Sequence, residues 1–153
     1  PYAANLILIG GPDYNKITEA FMGISPFEFV EVEENTVLRY KKTGEFFKSE
    51  FKVEKETEEV IDFGFFLKVP NPHNHDKKII MVNGIHTYGV YGTSKCFSWY
   101  DEHEIDIATN NCKIVVDNIG DDPNFALIVK VKSINKKIGI PIIKKEELIS
   151  IWK

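Results

Sequence analysis

The sequence predicts an α/β fold with a mixed sheet and few helices, and three observations carry the prediction. The apolar run Asn5-Leu6-Ile7-Leu8-Ile9 passes into Gly10-Gly11-Pro12-Asp13-Tyr14-Asn15. A second run, Lys78-Ile79-Ile80-Met81-Val82, passes into Asn83-Gly84-Ile85-His86-Thr87-Tyr88-Gly89, with Gly92-Thr93-Ser94 close behind. Between and after them lie segments of alternating apolar and polar residues, the period of half-buried strands. A buried strand that runs through glycines into a helix is how α/β proteins build binding crevices, because the helix start offers unpaired N–H groups and glycine lets a ligand approach the backbone.

Taken in order, residues 6–9 and 78–82 are short and continuously apolar, the pattern of fully buried strands in the interior of one sheet, with both glycine loops at the same edge. Asn15 suits an N-cap, and a helix over 16–23 places Ile17, Ala20 and Phe21 on one face before Gly23 and Pro26 end it. Residues 27–32 alternate apolar and acidic side chains, and 36–40 follow a turn at Glu34-Asn35. After the turn Lys42-Thr43-Gly44, residues 46–53 alternate again, with Phe47, Ser49, Phe51 and Val53 on one side. The charge run over 54–59 reads as a solvated loop or edge. Residues 60–69 read as a central strand that Pro70-Asn71-Pro72 stops. Gly92-Thr93-Ser94 reads as a helix start capped by Thr93 or Ser94, with Cys96, Phe97, Trp99 and Tyr100 packing inward, the helix reaching 101 or extending through 108. Residues 112–117 and 125–134 read as strands around the turn Gly120-Asp121-Asp122-Pro123. Asn135-Lys136-Lys137 reads as a hairpin tip with 138–143 as the partner strand, and 146–152 as either a short helix or an edge strand.

The bulk composition narrows the function classes. At 153 residues, 43% hydrophobic and 27% charged, residues 1–153 fit a single domain able to bury roughly 70% of its unfolded surface. No apolar run approaches the roughly 20 residues of a membrane helix, and Pro1-Tyr2-Ala3-Ala4 lacks the pattern of a signal peptide, so a cytoplasmic location is expected. The formal net charge of −4 makes nucleic acid an unfavoured partner. The charge is uneven, however: residues 124–153 carry seven Lys against Glu146 and Glu147, which makes either a patch for an acidic partner or a solvated lysine face. Cys96 and Cys112 lack the paired spacing of a zinc site or disulfide framework, and Cys96, among aromatic residues, reads as a buried free thiol.

Neither glycine loop carries a cofactor fingerprint. No Gly-Lys-Ser/Thr follows the first loop, and the third glycine of the dinucleotide motif is missing; the loop either binds or simply turns. The second loop combines three glycines with His86, the hydroxyls of Thr87, Thr93 and Ser94, which suit phosphate or sugar oxygens, and Tyr88 and Tyr91, which suit a base. His86 is a donor to an anion, an acid/base group, or a capping histidine. His73-x-His75-Asp76 has metal-ligating residue types but no third partner, so it reads as a solvated turn and no metal site is assigned. Asp101-Glu102-His103-Glu104 offers carboxylates for acid/base work or forms a polar helix end.

The block Asn5-Leu6-Ile7-Leu8-Ile9-Gly10-Gly11-Pro12-x-x-Asn15 resembles one found in prokaryotic proteins, archaeal S-layer-type surface proteins among them, where a strand enters Gly-Gly-Pro-x-x-Asn and then a helix. Phe65-Phe66-Leu67-Lys68-Val69-Pro70-Asn71-Pro72 and Gly84-Ile85-His86-Thr87-Tyr88-Gly89 are similar to segments of Rossmann-like domains fused to bacterial and archaeal regulators. The resemblance implies a Rossmann-like α/β domain with a glycine-loop crevice, and it brings no activity with it. Together these readings lead us to expect a small-molecule-binding or sensor domain. Its ligand would be a small anion such as a nucleotide, held by Gly10, Gly11 and Asn15 on one side and by Gly84, His86, Thr87, Gly89, Gly92, Thr93 and Ser94 on the other. The alternative is an enzyme acting on nucleotides or nucleosides, with His86 and a carboxylate among Asp101, Glu102 and Glu104 as acid and base. A structural surface or assembly module is the third reading. No catalytic residue and no cofactor is assigned, and oligomerisation is left open.

Overall fold

One fifteen-residue strand, whose apolar side chains point to both faces, organises the molecule. The computed structural model describes residues 2–99, 101–121 and 124–150. In chain order the elements are β1 (Leu6–Ile9), α1 (Lys16–Phe21) with a 3-10 turn at Met22–Ile24, β2 (Phe27–Val32), β3 (Asn35–Tyr40), β4 (Phe46–Phe47), β5 (Glu50–Glu54) and the long β6 (Thr57–Asn71). There follow β7 (Asn74–Gly84), α2 (Thr87–Lys95), α3 (Ile105–Ile119), β8 (Phe125–Ile134), β9 (Lys137–Ile138) and β10 (Leu148–Ser150). The fold is mixed α/β. A seven-stranded mixed sheet runs β1-β7-β6-β8-β10, with β5 also pairing β6 and β9 pairing β8, and β2-β3-β4 form a separate three-stranded sheet. In the large sheet β1 and β7 run parallel, from Leu6↔Ile79 to Ile9↔Val82, while β6 is antiparallel to both β7 and β8.

Because side chains alternate along a strand, β6 feeds two cores. Phe65, Leu67 and Val69 join Leu8, Met81 and Ala126 on the face covered by Phe21 of α1, Phe27 of β2 and Leu38 of β3. Phe66 joins Leu127, Val129 and Val131 on the opposite face, covered by Cys96 after α2 and Val115 of α3. Aromatic rings set both layers: Phe27 lies 5.2 Å from Phe65, and Phe66 lies 4.9 Å from Phe97 and 5.6 Å from Phe125. Each such side chain contributes about 1.5–3 kcal/mol by leaving water. Thus α1 with the small sheet covers one face, and α2 with α3 covers the other.

Several sequence expectations are corrected here. β1 is an edge strand rather than an interior one: Leu8 is buried, but Ile7 and Ile9 on the other face are 69% and 56% exposed. The stretch 46–53 breaks after Phe47, and pairing resumes at Glu50. β6 starts inside the expected charged loop and continues through Pro70 to Asn71. Residues 112–117 belong to α3, not to a strand. The β-branched run Ile114-Val115-Val116 suggested a strand, yet burial at Ala108, Asn111 and Val115 follows helical spacing. Asn111 fixes the helix by donating from Nδ2 to the Cys96 and Pro141 carbonyls, both at 2.8 Å, and accepting from Ile143 N. Those bonds hold the segment after β9 as irregular chain, so of the expected partner strand 138–143 just its first residue pairs with β8. Residues 145–147 form a 3-10 turn before the edge strand β10. Trp99 is 49% exposed rather than inward-packed. The expectations for Pro1, Tyr100, Asp122, Pro123 and 151–153 fall outside the described residues.

Lys95, 7% exposed, closes the far end of α2: its Nζ donates to Glu104 Oε1 at 2.8 Å and to the Ile138 carbonyl at 3.2 Å, with the Tyr91 ring at 5.8 Å. Cys96 beside it is fully buried and Cys112 is exposed, and both are free thiols. Burial pushes the Cys96 thiol up to about 12, so at pH 8 it carries almost no thiolate, the reactive form. In the folded protein an alkylating reagent at pH 8 is therefore expected to label Cys112 alone, counted by intact mass. Guanidinium should raise the count to two labels, and rapid double labelling of the native state would contradict the buried placement of Cys96.

Candidate ligand cleft at the strand ends

The parallel pair β1–β7 brings the two glycine loops together. Gly10 N, with φ +93, donates to the Val82 carbonyl at 3.0 Å, so the chain leaves both strands at the same sheet end. From there the connections diverge: β1 leads to α1 on one face, and β7 leads to α2 on the opposite face. Neighbouring parallel strands whose connections leave to opposite sides cannot close over one another, and a crevice remains beyond their carboxyl ends. Here that crevice is a cleft of about 450 Å³. One wall is Gly10, Gly11, Pro12, Asp13 and Tyr14; the other is Gly84, Ile85, His86, Thr87 and Val90. Phe29 of β2 and Thr36 of β3 reach it from the small sheet.

Asp62 determines where the second wall stands. Along one edge of β6, β5 pairs residues 57–61 and β7 pairs 64–71, so Asp62 sits at the handover between them. Its side chain is fully buried. Oδ1 accepts from Ser49 Oγ at 2.6 Å and Phe63 N at 2.9 Å; Oδ2 accepts from Gly89 N at 2.6 Å and His86 N at 3.2 Å. The N-cap residue of α2, His86, makes no side-chain cap bond. The carboxylate of Asp62 does that work from another strand, satisfying donors that a helix start leaves open and matching the positive end of the helix dipole. The bond from Ser49 also explains why the stretch 46–53 breaks between β4 and β5.

Glycines let the helix sit this low. A Cβ at Gly64 would fall closer than 3.0 Å to Thr93 Oγ1 and to the carbonyls of Asn83 and Gly89, and one at Gly84 would strike Val90 N. A Cβ at Gly89 would strike the Phe63 carbonyl, and one at Gly92 the Val131 side chain. At Gly11, by contrast, nothing lies within 4 Å.

Of the expected binding residues, Gly10, Gly11, Gly84, His86 and Thr87 line the cleft. Asn15 is spent on α1: its Oδ1 accepts from Ile17 N and Thr18 N, and its Nδ2 donates to the Ile9 carbonyl. The helix start expected at Gly92-Thr93-Ser94 is corrected to Thr87, because α2 is already capped by Asp62. Gly89, Gly92 and Thr93 are buried beneath the helix, and Ser94 is exposed with Oγ donating to the Tyr91 carbonyl. The Tyr88 hydroxyl faces Glu58 Oε1 at 3.4 Å; desolvation, then the Glu58 charge, raises the phenol above its ordinary range. His86 is exposed, its ring edge-on to Phe51 at 5.4 Å. Asp101, Glu102 and Glu104 lie beyond the C-terminal end of α2, whose nine residues separate them from His86 by roughly 13 Å of helix. Asp101 caps the following turn through His103 N.

The cleft has a distinct electrostatic character. Among the described residues no Lys or Arg lines it, and Asp13 supplies a negative charge at its wall. Sequence reading missed Asp62, although a single carboxylate inside the mostly apolar run 60–69 was a visible signal. It also missed Phe29 and Thr36, which arrive from a different sheet and carry no local signal. No protein-family model, curated protein or solved structure matches this chain.

Replacing Asp62 tests the capping role. Asp62→Ala strands buried N–H groups and is expected to cost about 2–4 kcal/mol in urea unfolding, with Asp62→Asn, which keeps one acceptor, losing roughly half as much. Gly89→Ala is expected to be similarly damaging, since backbone rather than a flexible side chain must move. A neutral Asp62→Ala would show that α2 does not depend on this carboxylate.

Proposed function

We propose that the chain is a small-molecule-binding or sensor domain whose ligand lies in the cleft between the Gly10–Tyr14 and Gly84–Thr87 loops. The observation that carries the reading is the divergence of the β1 and β7 connections to opposite faces, the arrangement at which open α/β sheets hold ligands. The parallel pair and its crevice support the Rossmann-like part of the reading, and the antiparallel β6 and β8 do not. The cleft's size falls within the usual span of ligand pockets, roughly 300–1,000 Å³, and its walls mix backbone, aromatic and hydroxyl groups.

The phosphate part of the sequence expectation draws less support than the binding part. Asp62 already occupies the start of α2, and Asp13 would repel an anion. An uncharged or cationic ligand suits the cleft better. The enzyme alternative required a carboxylate beside His86, and the acidic residues considered for that role lie at the other end of α2. The assembly reading keeps one observation in its favour: Ile7 and Ile9 are exposed on an edge strand, where free backbone groups invite pairing.

Native mass spectrometry of protein purified without denaturation is expected to show a retained small molecule. Gly11→Leu, which has open space for its side chain, should leave the melting temperature within a few degrees and lose that molecule. His86→Gln should keep it, with affinity within roughly tenfold, because a hydrogen-bonding side chain is preserved. Robust hydrolysis of nucleotides by the wild type, vanishing in His86→Gln with binding intact, would overturn the binding-module reading in favour of an enzyme. Sedimentation tests the assembly reading: a self-associating wild type made monomeric by Ile7→Lys would support it.

A further inference from the structure

Among the buried side chains without a hydrogen-bond partner, which include the hydroxyls of Thr18, Thr93 and Ser133, Asn83 has two such polar atoms. It is fully buried near the carboxyl end of β7, and neither Oδ1 nor Nδ2 has a hydrogen-bond partner among the described residues. A buried amide without partners is costly, and such groups in folded proteins call for a reason. By strand alternation its side chain shares the face of Ile79 and Met81, the face on which Phe29 packs. It stands opposite Phe65 in the β6–β7 register, and Phe65 lies 6.2 Å from Phe29, a cleft residue. The next residue, Gly84, is itself a wall of the cleft, and Gly10 of the other wall bonds to the preceding Val82. Asn83 thus lies beneath the switch-point cleft, covered by its lining rather than part of it, close to where open sheets place ligand-reading side chains.

Resting on the binding reading above, we propose that Asn83 is the specificity-determining residue of this cleft. Its ligand is an uncharged aminopurine-like ring or nucleoside. A carboxamide holds a donor and an acceptor side by side, and it pairs in two-point fashion with an amino group next to a ring nitrogen, as Asn does with adenine. The half-buried Phe29 and Ile85, which line the cleft, turn aside as the ring enters and give it apolar contact. Tyr14, 95% exposed at the rim, supplies a stacking surface for the ring's open side. Asp13 disfavours a phosphate on the same ligand. The buried amide is therefore maintained for recognition, at the expense of the stability of the free protein.

The probes are adenosine, purine riboside, which lacks the amino donor, and AMP, titrated into the intact chain by calorimetry and by nuclear magnetic resonance. Adenosine is expected to bind, purine riboside roughly tenfold or more weakly, and AMP no more tightly than adenosine. The Asn83 side-chain NH₂ resonances of the wild type should shift as adenosine is added, a readout that needs no variant. Asn83→Leu is expected to raise the melting temperature by a few degrees and to weaken adenosine at least tenfold. Gly11→Leu should abolish adenosine binding. Adenosine that binds unchanged to Asn83→Leu but not to Gly11→Leu overturns the role of Asn83 and leaves the cleft reading standing. Binding unaffected by either variant overturns both. A wild type that ignores adenosine, an AMP affinity well above that of adenosine, unmoved Asn83 NH₂ signals, or a lower melting temperature in Asn83→Leu each overturns the inference. In those cases the retained-ligand mass spectrum still judges the cleft by itself.

Discussion

The carboxylate of Asp62 is the constraint on which the rest of the architecture turns. Three parts of the chain far apart in sequence converge on its two oxygens: the residue before β5, the backbone of β6, and the start of α2. A charge buried this completely is tolerable because four donors surround it. The same bonds make the handover from β5 to β7 possible, since the gap in pairing along β6 would otherwise leave backbone donors buried and unanswered. With α2 tied at its first turn, the loop from Gly84 to Thr87 has little freedom, and one wall of the cleft is set.

The glycines of the second loop region show how one residue type serves unlike ends. Gly64, Gly84 and Gly89 bring helix backbone onto strand backbone, and Gly92 sits against the Val131 side chain, so that a Cβ at any of the four would collide. Gly10 takes a left-handed turn at the end of β1, and Gly11 borders open space. Packing therefore explains most of the glycine enrichment that made the second loop look like a phosphate cradle. What remains for a ligand is a cleft with hydroxyl, aromatic, imidazole and backbone groups, one acidic wall residue and, among the described residues, no Lys or Arg.

That electrostatic balance connects to the two ends of α2. The positive end of α2 is matched by Asp62, and its C-terminal end is held by the buried Lys95, which bridges to Glu104 and the Ile138 carbonyl. Both termini are thus engaged within the fold. The groups free to meet a ligand are those the helix leaves behind at the strand ends, and among them Asn83 stands out as an amide that the fold itself does not satisfy.

Much of the architecture was legible in the chain, for reasons local to it. The runs before Gly10 and Gly84 announced strands, Asn15 announced the start of α1, and residues 27–32, 36–40 and 125–134 announced strands too, because period and capping are properties of neighbouring residues. The same local logic erred where long-range contacts decide. Ile114-Val115-Val116 became helix because Asn111 ties that segment to 96 and 141, and β1 became an edge because, among the described residues, no further strand pairs it. The cleft followed this division. Sequence alone determined that two glycine loops would follow two strands, and the parallel pairing set them side by side. Which of their residues face solvent was decided only in three dimensions: Phe29 and Thr36 reach the site from elements whose own sequence carries no trace of it, and the lone carboxylate Asp62, visible in its strand, shows its partners only in the fold. Helix capping by a distant carboxylate and burial beneath a neighbouring layer are facts of tertiary contact, and no periodicity in a single strand encodes them.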